Sequence, residues 1–169
     1  MRINTNLKIF KKKHLKKINQ VISYTESFKD ERIVNNLIEN FLIDDNSFVF
    51  ESVEKGKIRG RFTIFGKNPD KIWELKNNKV YFINKNSKKI INKPPYAFLK
   101  KLVEEFKFQT PKNLPPICSL LAGFFSYDII RYIEKIPNKC EDDLNLPDVR
   151  ILRPTSLIIH DNIKKKIFY

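Results

Sequence analysis

A chain of 169 residues with 41% hydrophobic content and 14 phenylalanines carries enough apolar material for a packed core, which argues against a disordered protein. Its formal net charge of +14 comes from lysines scattered through predicted strands, turns and helices, with no base-reading motif beside them, so a nucleic-acid partner is not expected. No apolar run approaches a bilayer span. Met1 to Lys17 is basic but lacks the apolar stretch of a secretory signal. Cys118 and Cys140 are isolated and lack metal-ligand spacing, so reduced cytoplasmic thiols are expected.

Residues 5–19 read as a basic amphipathic helix with Leu7, Phe10, Leu15 and Ile18 as a sparse apolar stripe. Val21-Ile22-Ser23-Tyr24 reads as a short strand. Glu31 to Leu42 is a stronger helix, placing Ile33, Val34, Leu37, Ile38, Phe41 and Leu42 at helical spacing. Asp44-Asp45-Asn46 stops it. Strands are expected around Ile72–Leu75, Lys79–Asn84 and Lys89–Asn92, joined by turns at Asn77-Asn78 and 84–87 into an antiparallel meander. Pro94-Pro95 ends the meander and opens a helix, Tyr96 to Phe108, with Leu99, Leu102, Val103 and Phe106 on one face. A proline-rich connection leads to a buried strand, Ser119 to Phe125, and a helix, Tyr127 to Glu134, with Ile129, Ile130 and Ile133 inward. A hairpin of Thr155–His160 and Lys164–Tyr169 closes the chain. The expected fold class is α+β: mostly antiparallel sheet packed with a few helices, with no linker dividing it.

The segment 47–66 carries the main anomaly. Residues 48, 50 and 52 share one face of a strand, and there a serine stands in line with two phenylalanines. Gly56 supplies a turn, and Arg59 and Arg61 flank Gly60 on the return. A two-residue turn at Lys55-Gly56 places Ser52 opposite Arg59; a four-residue loop, 55–58, places it opposite Arg61. Either pairing sets a guanidinium beside a hydroxyl and aromatic surface, which suits an amphipathic ligand with a carboxylate and a ring. The plainer reading is a satisfied core serine beside arginines that guard a sheet edge.

Catalytic groups are sparse. His14 and His160 belong to no metal motif, four glycines form no phosphate loop, and no acid and base are paired. His160-Asp161 reads as a strand end at a turn. Tyr127, Asp128 and Arg131 form at most a local structural cluster.

Phe48-x-Phe50-Glu51-Ser52-Val53-Glu54-x-Gly56-x-x-x-Gly60-Arg61-Phe62-x-Ile64-x-Gly66 resembles the N-terminal signature of the large subunit, component I, of anthranilate synthase. The resemblance continues at Asn68 to Trp73, Leu114-Pro115-Pro116, Gly123 to Glu134, Asp143 to Asp148 and Arg153 to Leu157, in family order. It covers 45–169; residues 1–44, a helix, strand and helix of the same domain, match loosely. The sequence departs from the family at Ser119 and Leu120, where glycines are usual, and at Phe124 and Ser126.

The resemblance implies an enzyme that converts chorismate to anthranilate and pyruvate with magnesium and ammonia from a glutamine amidotransferase subunit. Its catalytic ligands lie in a larger C-terminal chorismate-binding domain that nothing here matches, so an isolated chain is expected to be inactive. The chain stops inside a predicted strand, which suggests a partial sequence. What the resemblance places here is the feedback site for L-tryptophan: Ser52, with Arg59, Gly60, Arg61 and Phe62. Aminodeoxychorismate synthase, of the same fold, and a non-enzymatic basic nucleic-acid-binding module are the alternative readings.

Overall fold

The computed structural model describes residues 6–16, 20–27, 32–51, 60–84, 87–106, 110–137, 139 and 141–169. In chain order the elements are α1 (Leu7–Leu15), β1 (Thr25–Ser27), α2 (Arg32–Phe41), β2 (Phe48–Phe50), β3 (Phe62–Lys76), β4 (Lys79–Asn84) and β5 (Ser87–Ile91). They continue as α3 (Pro95–Glu105), β6 (Ala122–Phe125), β7 (Val149–Asp161) and β8 (Lys166–Phe168), with short 3-10 turns at Pro116–Cys118 and Tyr127–Tyr132. The fold is α+β. Its antiparallel sheet runs β1-β8-β7-β3-β4-β5, with β2 added on β3 and β6 on β7.

Local chemistry explains the element ends. The Asn6 side chain caps α1 by accepting from the Lys8 and Ile9 amides, while Lys12, Lys13 and His14 complement the helix dipole at the other end. Pro95 opens α3, where its missing N–H costs nothing. Asn77 and Asn78 both have positive φ, 49° and 59°, which gives the two-residue β3–β4 turn the twist of its flanking strands.

Two compact units share these elements, the chain crossing between them within β3 at Asn68–Pro69 and within β7 at Pro154–Thr155. Asn68 is left-handed, with φ 53°, and Pro69 has no amide to give to the ladder. The unit holding residues 69–107 and 120–154 has a core of Trp73, Leu75, Val80, Phe98, Leu102, Val149 and Ile151. Trp73 lies opposite Phe82, and Leu75 opposite Val80, on the sheet face that α3 covers. Glu74 points to the other face, where Arg150 and Lys88 pair with its two oxygens. In the other unit, α2 packs Val34 and Phe41 against Phe65, and Lys67 reaches both Asp44 (3.1 Å) and the Phe41 ring.

The meander, α2, α3 and the closing hairpin follow the expected positions, and other expectations need correction. The first strand is β1, bonded to β8, rather than Val21–Tyr24; only Tyr24 joins it, exchanging backbone bonds with Tyr169. Leu7 and Leu15 of α1 are exposed, and Ile18 lies outside the described residues. Leu42 lies just past the end of α2 and is exposed, and Ile33 of α2 and Val103 of α3 face outward, because a single helix face accommodates fewer positions than the apolar sets assigned to it. Phe98 is buried instead of Val103. Ser119–Phe125 is not a buried strand: only residues 122–125 pair, with β7, and Gly123 to Phe125 are exposed. Tyr127–Tyr132 is a 3-10 turn with Ile133 exposed, not an α-helix; Arg131 donates to the carbonyls of Ile136 and Pro137, holding the chain where it leaves the turn.

The β2–β3 register also differs. The two expected registers place Phe48 opposite residue 63 or 65, whereas its partner is Gly66, followed by Val49 with Phe65 and Phe50 with Ile64. Packing decides this. The Phe48 ring lies over Gly66, where an added Cβ would come within 2.2 Å of it, and Val49 packs with Phe65 in the core. A side chain at residue 66 would force that ring to shift.

Candidate functional site

Of the five residues expected to contact a ligand, Gly60, Arg61 and Phe62 are described, while Ser52 and Arg59 lie outside the described residues. The three sit where the chain enters β3. Gly60 has φ 70°, a left-handed conformation that L side chains adopt at a cost of about 1 kcal/mol. Asn162, in the β7–β8 turn, fixes the backbone there. Its amide donates to the Arg61 carbonyl (2.8 Å), and its side chain donates to the Gly60 carbonyl (3.2 Å) and the Thr63 hydroxyl (3.4 Å).

Arg61 is held as firmly. Its Nε donates to both oxygens of Asp161 at 3.2 Å, and its Nη2 donates to Oδ2 at 2.6 Å. The guanidinium carbon lies 4.8 Å from the centre of the Phe62 ring, a cation–π contact. Asp161 is 1% exposed and also accepts the amides of Ile163 (3.1 Å) and Lys164 (3.0 Å). Burial pushes its carboxyl upward, but the Arg61 guanidinium and those two amides outweigh burial and hold it below the usual carboxylate range. The hydrogen bond to Asp161 in turn raises the Arg61 pKa.

The result is a fixed cation with an aromatic face beside it. Nε and Nη2 are committed to Asp161, which leaves Nη1 as the nitrogen outside that pair. Phe62 shares a sheet face with Ile64 and Gly66, and therefore with Phe48 and Phe50, whose rings lie 4.8 Å apart. Phe50 is 47% exposed. This chemistry suits a ring joined to an anionic group.

Sequence reasoning missed Asp161 and Asn162 as parts of this site. His160-Asp161 was legible as a strand end at a turn, and Asp161 does close β7 there by capping the following residues. Nothing local signals its ion pair with a residue 100 positions away. In the other expected cluster, Arg131 donates to Asp128 at 2.7 Å, whereas Tyr127 is 91% exposed. Cys118 is a free thiol, and burial raises its pKa; Cys140 lies outside the described residues.

No protein-family model matches the chain. Curated proteins do. It is 32% identical over 127 residues to anthranilate synthase component 1 of Cereibacter sphaeroides, covering 72% of this chain and 25% of that protein. It is 32% identical over 143 residues to anthranilate synthase component 1 of Acetivibrio thermocellus, covering 84% and 29%. This chain is a relative of anthranilate synthase component I. The crystal structure of anthranilate synthase component I from Streptococcus pneumoniae agrees: TM-score 0.53, 26% identity, 78% of this chain and 28% of that one. The chain thus spans between a quarter and a third of the length of these three proteins. Among the described residues, no helix is long and apolar enough to cross a membrane.

Proposed function

We propose that this chain is the tryptophan-sensing N-terminal part of an anthranilate synthase component I. The relationship to component I proteins carries this reading, and the fixed Arg61–Phe62 pair supports it. The complete enzyme, a cytoplasmic lyase, converts chorismate and ammonia to anthranilate and pyruvate. A glutamine amidotransferase subunit supplies the ammonia, and the chain without its chorismate-binding domain is inactive. The magnesium ion that such enzymes use finds no matching donor set: no group of three His, Cys, Asp or Glu side chains converges among the described residues. The ligands of that ion are assigned, in this reading, to the chorismate-binding domain.

That role is binding. The Ser52 hydroxyl serves the amino-acid end of L-tryptophan as donor and acceptor. Arg59 and the Nη1 edge of Arg61 receive its carboxylate. Phe62 and Phe50 offer aromatic surface to the indole, and the bare backbone at Gly60 permits close approach. Asp161 acts as a positioning residue, since it fixes the guanidinium before any ligand arrives. Inhibition follows only if tryptophan binds one state of the enzyme more tightly than the other; the coupling is that difference, not the contact energy.

The test is an assay of the complete gene product with chorismate, ammonia and magnesium. The reading requires anthranilate as product and inhibition by L-tryptophan. A para-substituted aminated product would assign it to the aminodeoxychorismate branch instead, and no amination of chorismate would contradict the enzyme reading altogether.

A further inference from the structure

A second place in the fold combines aromatic surface with positive charge, and it shares no residue with Gly60–Phe62. It lies wholly in the unit of the β3–β5 meander and α3, as a cavity of about 250 Å³. Trp73, Phe98 and Leu102, each less than a tenth exposed, form its floor together with Phe82. The Trp73 ring centre is 6.4 Å from that of Phe82 and 6.5 Å from that of Phe98. Lys71, Lys93, Lys101 and Glu105 form the rim.

The elements account for this arrangement. Lys71 is two residues before Trp73 on β3, so both side chains leave the same sheet face. Lys101 and Glu105 are one turn apart on the face of α3 that carries Phe98 and Leu102, and they pair at 3.2 Å. Lys93 follows β5 just before the helix begins. Three of the four charged side chains on the rim are lysines, and the fourth, Glu105, pairs with Lys101, so the rim keeps a net positive charge over a ring-lined floor.

We propose that this cavity binds a single aromatic ring bearing an anionic group, such as an aromatic carboxylate. The size favours one ring, since the volume lies just under the roughly 300–1,000 Å³ of most small-molecule sites. The floor provides stacking and edge contacts for the ring. Lys71 and Lys93 receive the anion, and low solvent access at the floor strengthens that attraction relative to open surface. Glu105 opposes the ligand and occupies Lys101.

Trp73 is the only tryptophan in the chain, so its emission reports directly on this floor. The experiment titrates the full chain with benzoate at constant ionic strength, exciting at a wavelength selective for tryptophan. Saturable change is expected with benzoate, and none at equal concentrations of benzyl alcohol or inorganic phosphate. Lys71→Ala and Lys93→Ala should each weaken benzoate binding by about tenfold, the scale of one lost charge-assisted contact. Glu105→Gln should strengthen it by freeing Lys101. A response to benzoate that does not saturate would overturn the proposal. So would an equal response to benzyl alcohol or phosphate, or lysine variants that bind as the parent does. All these side chains are on the rim, and unchanged thermal unfolding of the variants confirms that a loss is not misfolding.

Discussion

Asp161 supports the candidate site from beneath, because it fixes a guanidinium whose position decides what the neighbouring ring and backbone can recognise. The carboxylate is 1% exposed and meets Arg61 and two backbone amides. Removing its charge leaves Arg61 facing a weaker acceptor, and Asp161→Asn should destabilise the fold by about 1–3 kcal/mol. The pH dependence has a definite sign. The folded carboxyl titrates below its ordinary value, so the unfolded chain takes up the proton first and acid favours unfolding. The contribution is intact above about pH 5 and is lost as pH falls through 4 toward the lowered folded value. Thermal melts between pH 7 and pH 3 check it: the parent should lose stability over that window more steeply than Asp161→Asn, and parallel curves would refute the assignment. Asp70, which Arg153 holds below the usual carboxylate range, adds a background slope of the same sign to both proteins. At this scale the sequence was legible in part. Arg61 and Phe62 stood out beside Gly60, but an ion pair across 100 positions leaves no local pattern.

Sheet register is set at the scale of elements, by what each ring rests on. Phe48 covers Gly66, and a methyl there would lie 2.2 Å from ring carbons. Gly66→Ala should therefore destabilise the protein by about 1–3 kcal/mol. Phe48→Ala in the same chain should recover part of that loss, because the two substitutions are coupled through one contact. Denaturant unfolding of the two single variants and the double variant measures it; strictly additive effects would show that the ring does not hold the register. The meander was readable because Trp73, Leu75, Val80 and Phe82 alternate with period two between asparagine turns. The α2 and α3 helices were readable from their 3.6-residue period, though Ile33, Leu42 and Val103 show that period alone does not say how wide the buried stripe is. The segment Tyr127 to Glu134 was misread as an α-helix because so short a stretch does not separate an α from a 3-10 period. The β2–β3 register was misread because turn length was inferred from glycine alone, whereas the packing of Phe48 against Gly66 fixed the pairing.

Taken whole, the role proposed for the chain is recognition. Its two units each join cationic groups to aromatic rings: Arg61 on Phe62 in one, and the lysine-rimmed floor of Trp73 in the other. The net charge of +14 leaves such cations available at many places, but only where a ring and a fixed backbone accompany them does the charge acquire selectivity. The relationship to component I proteins, over between a quarter and a third of their length, makes tryptophan the ligand proposed for the first of these places. The account turns on Ser52, which the resemblance names and whose hydroxyl is assigned to the ligand. The most direct measurement is the rate of anthranilate formation against L-tryptophan concentration in the complete enzyme, for the parent and for Ser52→Phe. The account predicts that the parent is inhibited, whereas Ser52→Phe keeps its uninhibited rate within about twofold and loses inhibition by about a hundredfold or more, the scale of a full allosteric coupling. An inhibition curve unchanged by Ser52→Phe would contradict it.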